Sequence, residues 1–189
     1  MEYRKLLDFM SLTEKMKCNT RHSWTSSGRE ESVAEHTYSL CMMAWLMKDE
    51  FPDLNMDRIM MMCLFHDLGE AVTGDIPSFE KNDSHKESEH HAIEEIAGRL
   101  PDSHKKEFSQ IMQEIEEGHT EEAKLFHALD KMDAVIQHNE ADLSTWLPLE
   151  YDLQMVYGQE QAAVFPYTKA LRDIVRADSA AKIEQKRGG

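Results

Sequence analysis

The sequence predicts an all-α protein folded as one compact helical domain. Three observations carry that prediction. Apolar residues recur at helical spacing in one segment after another, as at Leu125, Leu129, Met132 and Ile136. Two strings, Ser32-x-x-Glu35 and Ser84-x-x-Glu87, read as capping boxes that open helices. The 8 glycines and 5 prolines mostly fall singly, at breaks between periodic stretches. No strand-type alternation, internal repeat or low-complexity block is visible, and 189 residues suffice for one core.

Each element has its own warrant. Residues 2–17 carry Leu6, Leu7, Met10 and Leu12 as a first helix, and Asn19–Arg29 reads as a polar loop. The Ser32 box opens a helix to about Asp49, with His36, Leu40, Met43 and Met47 on its inward stripe. A third helix covers 56–68, with Ile59, Cys63 and His66 on one face and Gly69 ending or bending it. Its Met60-Met61-Met62 run implies burial on several sides. Gly74–Asp83 reads as a loop broken by Pro77, and Ser84 starts a helix to about Leu100. After Pro101 a helix covers 103–117; Thr120 caps another to about Leu143; a last one covers 158–178. The domain is expected over 1–179, and 180–189 as a polar, disordered tail.

Composition narrows the function. The net charge is −15 with basic residues scattered, which argues against a nucleic-acid polymer as partner. A phosphate site in so acidic a chain needs its own local cation. No apolar run is long enough for a bilayer, and the first residues show no signal-peptide core, so no membrane partner is expected. Cys18, Cys41 and Cys63 lie far apart without paired spacing, so they read as free thiols in a reducing compartment. The expected location is the cytoplasm.

The most informative string is Cys63-Leu64-Phe65-His66-Asp67-Leu68-Gly69-Glu70-Ala71-Val72-Thr73-Gly74-Asp75. His66, Asp67, Glu70 and Asp75 follow directly on the apolar run Ile59–Phe65. Charged groups carried inside must be paired, ligated or neutralised. His36 lies on the inward stripe of its helix, and Asp130 shares a face with Ala123, His127 and Ala134. Taken singly, His36 is more often a hydrogen-bonded core histidine, and Asp130 half of an ion pair. A metal site explains His36, His66, Asp67 and Asp130 together. Two imidazoles and two carboxylates suit Mn, Fe, Co, Ni or Zn better than Ca, and four protein ligands leave positions open for water and substrate.

The pattern His36, His66-Asp67, Asp130 resembles the H…HD…D signature of HD-domain metal-dependent phosphohydrolases. The strings His66-Asp67-Leu68-Gly69-Glu70, Thr73-Gly74-Asp75-Ile76-Pro77, Thr20-Arg21-His22-Ser23-Trp24 and Ser32-Val33-Ala34-Glu35-His36 resemble the 5′-deoxynucleotidase branch, over about Leu12 to Val135. The resemblance implies an HD-domain helical fold, a homodimer and one divalent ion held by His36, His66, Asp67 and Asp130. It implies a small-molecule substrate, a deoxyribonucleoside 5′-monophosphate, hydrolysed to nucleoside and phosphate.

The chemistry asks for a base and an acid, and Glu70 and Asp75 are the candidates in either order. Arg21 is the candidate phosphate cation, because guanidinium grips phosphate oxygens in two-pronged fashion. Trp24 is a candidate sugar or base contact, although the branch often has its aromatic directly after the arginine, where this chain has His22. Thr73 is a candidate phosphate contact; a local turn bond explains it equally well. Lys81 and Lys131 are weaker candidate cations, and Glu122 could orient a ligand. His90, His91 and His119 sit in polar surroundings that favour surface histidines over a second metal. Two other readings stay open: the same site acting on a nucleoside di- or triphosphate, cyclic nucleotide or alarmone, and a non-catalytic helical dimerisation module with a structural metal. Retained Glu70 and Asp75 argue against the latter.

Overall fold

The computed structural model describes residues 2–77, 80 and 82–188. Its architecture is a set of helices, each burying one apolar face against its neighbours. Helix α1 (Tyr3–Cys18) sends Leu12 and Met16 inward. A two-stranded antiparallel hairpin follows, β1 (Thr20–Trp24) and β2 (Glu30–Ser32), where a plain loop is expected from the sequence. The hairpin has no period-2 signature because it is irregular. Thr20 pairs with Ser32 and Trp24 with Glu30, so β1 carries extra residues and bulges. A bulge bends its strand and re-aims the side chains it carries.

Helix α2 (Val33–Leu46) opens on the capping box read from the sequence. The Ser32 hydroxyl accepts from the Glu35 N–H at 3.3 Å, and the Glu35 carboxylate accepts from the Ser32 N–H at 2.8 Å. Such a cap contributes about 1 kcal/mol and fixes where His36 stands. Helix α3 (Met56–Phe65) stops three residues earlier than expected. Gly69 keeps a helical φ of −57°, so it is not a left-handed terminator. The chain instead tightens to i→i+3 bonds, Leu68 N–H to Phe65 O and Glu70 N–H to Asp67 O, before the single turn α4 (Glu70–Thr73). Gly74, at φ +78°, then turns the chain out in a conformation that favours glycine.

Helix α5 (Asp83–Arg99) is capped by Asn82, whose carboxamide oxygen accepts from the Ser84 and His85 N–H groups; the box expected at Ser84 lies two residues too late. Helix α6 (Asp102–Glu117) follows Pro101. Helix α7 (Glu121–Glu140) is capped by Thr120, as expected, and threads the centre of the molecule. Leu125, Leu129 and Met132 are buried, while Val135 rather than Ile136 completes the buried set. Helix α8 (Glu150–Val156) is not expected from the sequence, and the single helix expected over 158–178 is two, α9 (Gln159–Ala162) and α10 (Pro166–Gly188). Gly158 makes the break before α9. Its φ is +71°, and a Cβ there would lie 2.8 Å from Lys131 Cβ, so only glycine lets this turn approach α7.

The tail expected to be disordered from 180 is helical. Lys182 donates to the carbonyls of Asn139 and Ala141, and Ile183 is buried, so α10 is anchored past Ala180. Its polarity is that of a helix wet on one side. The core forms three groups, two of them built on α7. One joins α2, α3 and α7 through Leu40, Ile59, Met62 and Leu129. One joins α1, α4, α5 and α6 through Leu12, Ala71, Ile96 and Phe108. The third joins α7, α9 and α10 through Met132, Val135, Ala162 and Val175. The turn 66–69 passes between the first two. Cys18, Cys41 and Cys63 are free thiols, Cys63 within the core. Among the described residues, no helix is long and apolar enough to cross a membrane.

Candidate metal centre

Three helices converge where the core groups meet. His36 stands in the first turn of α2, His66 and Asp67 at the end of α3, and Asp130 midway along α7. The structure brings these four together. His36 Nε2 lies 3.2 Å from His66 Nε2 and 3.2 Å from Asp130 Oδ1. His66 Nε2 lies 3.0 Å from Asp67 Oδ2 and 3.7 Å from Asp130 Oδ1, and His36 Nε2 lies 3.8 Å from Asp67 Oδ2. Adjacent donors around one ion with bonds of about 2.1 Å lie about 3 Å apart; His36, His66 and Asp67 offer atoms within 4.8 Å of one another, as a single cation needs, and Asp130 Oδ1 borders both imidazoles.

The hydrogen bonds behind the two rings make the same point. His66 Nδ1 faces the Cys63 carbonyl at 2.9 Å, and a carbonyl only accepts, so Nδ1 carries the hydrogen. His36 Nδ1 donates to Asp133 Oδ2 at 2.7 Å. Both Nε2 atoms therefore turn lone pairs toward each other, beside two carboxylates. That arrangement requires a shared cation or a proton. Asp133 is itself held by the Ser39 hydroxyl at 2.6 Å and is 2% exposed. Sequence reading did not single out Asp133. Its signal was available: an acid one turn after Asp130, inside an apolar stripe.

The metal-free electrostatics show how strongly the cluster calls for positive charge. Burial and the nearby Arg21 push the His36 ring toward neutrality, yet Asp130, Asp133 and Asp67 hold it at about 9. Burial works against ionised Asp67, but His66, His36 and Arg21 bring it to about 2. Asp130 is likewise pulled down against burial by His36, His66 and Arg21. A divalent cation would take the place of the trapped proton. Asp67 and Asp130 keep 19% and 26% of their side-chain surface exposed, while His36 keeps none, so any bound ion is open on the carboxylate side.

That open side faces a cleft of about 300 Å3. Among the described residues it is lined near the centre by Arg21, Asp67, Glu70, Asp75 and Asp130. The bulge in β1 brings both Arg21 and His22 to this cleft. Arg21 Nη1 lies 3.5 Å from Glu31 Oε2, and Glu31 is 2% exposed. Burial opposes the Arg21 charge, and Asp67, Glu31, Asp130 and Asp75 sustain it. Glu70 is buried at the first position of α4, its backbone carbonyl accepting from the Asn19 side chain. Asp75 follows the Gly74 turn onto the cleft wall. Lys131 also lines the cleft, its ammonium 5.1 Å from the Tyr157 ring centroid. On the far side of His66, Asp67 and Glu70 a second opening of about 810 Å3 lies between α5 and α6.

Other expected residues lie elsewhere. Trp24 is not among the lining residues; its ring stands edge-on to His22, with centroids 4.9 Å apart. In its place the bulge presents His22 and Ser23. The Thr73 hydroxyl donates to the Gly74 carbonyl at 3.1 Å, the local turn bond, and Thr73 does not line the cleft either. Glu122 accepts from the Asn55 N–H at 3.0 Å and so ties the start of α3 to α7. His90 and His91 are exposed beside Glu94, and His119 is exposed. Among the described residues no second cluster of three metal donors forms. Lys81 lies outside the described residues.

With this geometry in place, comparison with known proteins is direct. A family model described as "HD domain" matches residues 13–172. The 5′-deoxynucleotidase HDDC2 of Homo sapiens is 33% identical over 142 residues, covering 72% of this chain and 68% of that protein. The 5′-deoxynucleotidase hdd1 of Schizosaccharomyces pombe is 28% identical over 160 residues, 75% of this chain and 79% of that one. Among solved structures, a predicted metal-dependent phosphohydrolase from Magnetospirillum magnetotacticum MS-1 superposes with TM-score 0.79 at 23% identity, over 95% of this chain and 93% of that one, and so shares the fold. The matched span includes every residue of the donor cluster, and the chain belongs to the HD-domain family of metal-dependent hydrolases.

Proposed function

We propose that this protein is a metal-dependent phosphomonoesterase that hydrolyses deoxyribonucleoside 5′-monophosphates to nucleoside and phosphate. One observation carries the reading: a cluster that demands a cation presents Asp67 and Asp130 to the same cleft as Arg21, Glu70 and Asp75. The 5′-deoxynucleotidase relatives supply the substrate class. His36, His66, Asp67 and Asp130 would hold one first-row divalent ion, of Mn, Fe, Co, Ni or Zn. Once bound, that ion activates water and offsets phosphoryl charge.

The remaining steps belong to the protein's own side chains. Arg21 grips the phosphate, with Glu31 fixing its guanidinium and Lys131 adding a second positive charge. Glu70 and Asp75 stand on the same wall as Asp67, where one takes a proton from the attacking water and the other returns a proton to the departing 5′-oxygen. Asp133 keeps the His36 ring in the tautomer whose Nε2 lone pair faces the centre. The test is hydrolysis of a nucleotide panel with added Mn or Co. Fastest release of phosphate from deoxyribonucleoside 5′-monophosphates is expected. Preference for a di- or triphosphate or a cyclic nucleotide would replace the substrate, and no turnover with any metal would leave only a structural ion.

A further inference from the structure

The cleft continues past the donor cluster to a second polar group that the mechanism does not use. Along α7 the residues Asp130, Ala134 and His138 share one stripe and all line the cleft. At 1.5 Å per residue, His138 stands about 12 Å down the helix from Asp130. That is the reach from the phosphate of an extended nucleotide, across its sugar, to its base. At this far end Glu150 Oε1 is hydrogen-bonded to His138 Nε2 at 3.1 Å and lies 3.2 Å from His22 Nε2 as an ion-pair contact, while its Oε2 accepts from the Leu147 N–H at 2.7 Å. The carboxylate is 5% exposed, but the His22 and His138 rings above it are 24% and 16% exposed. Each ring is also met by a tryptophan edge, His22 by Trp24 and His138 by Trp146. His138 Nδ1 also faces the Ala134 carbonyl at 3.1 Å, so the rings, with these nitrogens turned into the protein, form a rigid packing surface along the cleft. Gln154 adds an amide whose nitrogen is taken up by the Val135 carbonyl at 2.8 Å.

Resting on the nucleotidase reading above, we infer that His22 and His138, clamped by Glu150, form the subsite for the nucleobase of the substrate. Their ligand is a flat, neutral heterocycle that packs against the two rings. Glu150 is a positioning residue that acts through the two rings, and Trp24, absent from the lining, acts through His22.

The test compares two substrates with the same phosphoester, dAMP and 2-deoxyribose 5-phosphate, which lacks the base. They are hydrolysed by the wild type, by Glu150→Gln and by His22→Asn, each with metal content checked at one per chain. The wild type is expected to favour dAMP in kcat/KM. Each variant should shrink that preference by at least about tenfold, with the loss in the KM for dAMP. His22→Asn carries the test if Glu150→Gln fails to fold. Parallel loss on both substrates would mean that the trio only ties β1, α7 and α8 together, and would overturn the inference. So would a wild type indifferent to the base. A wild type that hydrolyses neither substrate but cleaves another nucleotide would instead overturn the reading on which the inference rests.

Discussion

Two pairs of histidines stand along one cleft, the first behind its Asp67 and Asp130 carboxylates and the second on its wall, and their wiring is opposite. His36 and His66 spend their Nδ1 hydrogens outward, on Asp133 and on the Cys63 carbonyl, and point bare Nε2 atoms at each other 3.2 Å apart. His22 and His138 turn Nε2 toward a common acceptor, Glu150 Oε1. The first pair is unfinished without a cation, whereas the second faces a carboxylate that the protein itself supplies. A histidine pair therefore announces a metal only when its partners leave the lone pairs converging; proximity alone is not enough.

The largest expected effect tests the unfinished pair. Asp67→Ala should reduce bound metal from one ion per chain to nearly none and abolish turnover, read by elemental analysis and phosphate release. Full metal content in that variant would break the comparison. Next comes Glu70→Ala, which lies beside the centre but outside the donor set. It should keep the ion and lose about 10²–10⁴-fold in kcat, the range of a general acid–base group. Undiminished activity would remove Glu70 from the mechanism. Arg21→Ala should weaken substrate binding by about 1.5–3 kcal/mol, the value of a charge-assisted contact, with metal content unchanged. Asp133→Asn sharpens the point about wiring, because it alters only what stands behind His36. Metal affinity should fall about 10–100-fold; an unchanged affinity would show that the ring needs no carboxylate to hold its tautomer.

The two pairs also differ in how far the sequence reveals them. His66-Asp67-Leu68-Gly69-Glu70 is contiguous, and charge set directly against an apolar run has few explanations. His36 and Asp130 could be added because helical periodicity places both on inward faces. The caps at Ser32 and Thr120 were legible for the same reason, since each is a local hydrogen bond. The far pair has no such signal. His22 reaches the cleft only because β1 bulges, and an irregular strand leaves no alternation to read. His138 meets Glu150 through the turn at 143–149, which tertiary packing alone sets. Trp24 shows why: the aromatic is visible in sequence, but among the described residues His22 rather than Trp24 lines the cleft. The helix past Ala180 escaped notice because its anchor, Lys182 on the end of α7, joins residues some 40 positions apart.

The wiring of the first pair also fixes a pH dependence. Without metal, burial and Arg21 oppose protonation of His36 but the surrounding carboxylates prevail, so its value rises from 6.5 to about 9. A group raised in the folded state stabilises that state fully below its unfolded value and loses the contribution as pH climbs through the folded one. The metal-free protein should therefore lose stability between about pH 6.5 and 9. Metal binding has the opposite slope, because the ion must displace the same proton. About one proton should leave per ion bound at pH 7, and apparent affinity should strengthen up to about tenfold per unit until His36 deprotonates unaided. Calorimetry in buffers of different ionisation enthalpy counts the proton. Melting temperatures with and without metal should then diverge as pH rises through that window. Parallel curves would mean that His36 carries no proton in the empty site, and that its lone pair is held toward the centre even before an ion arrives.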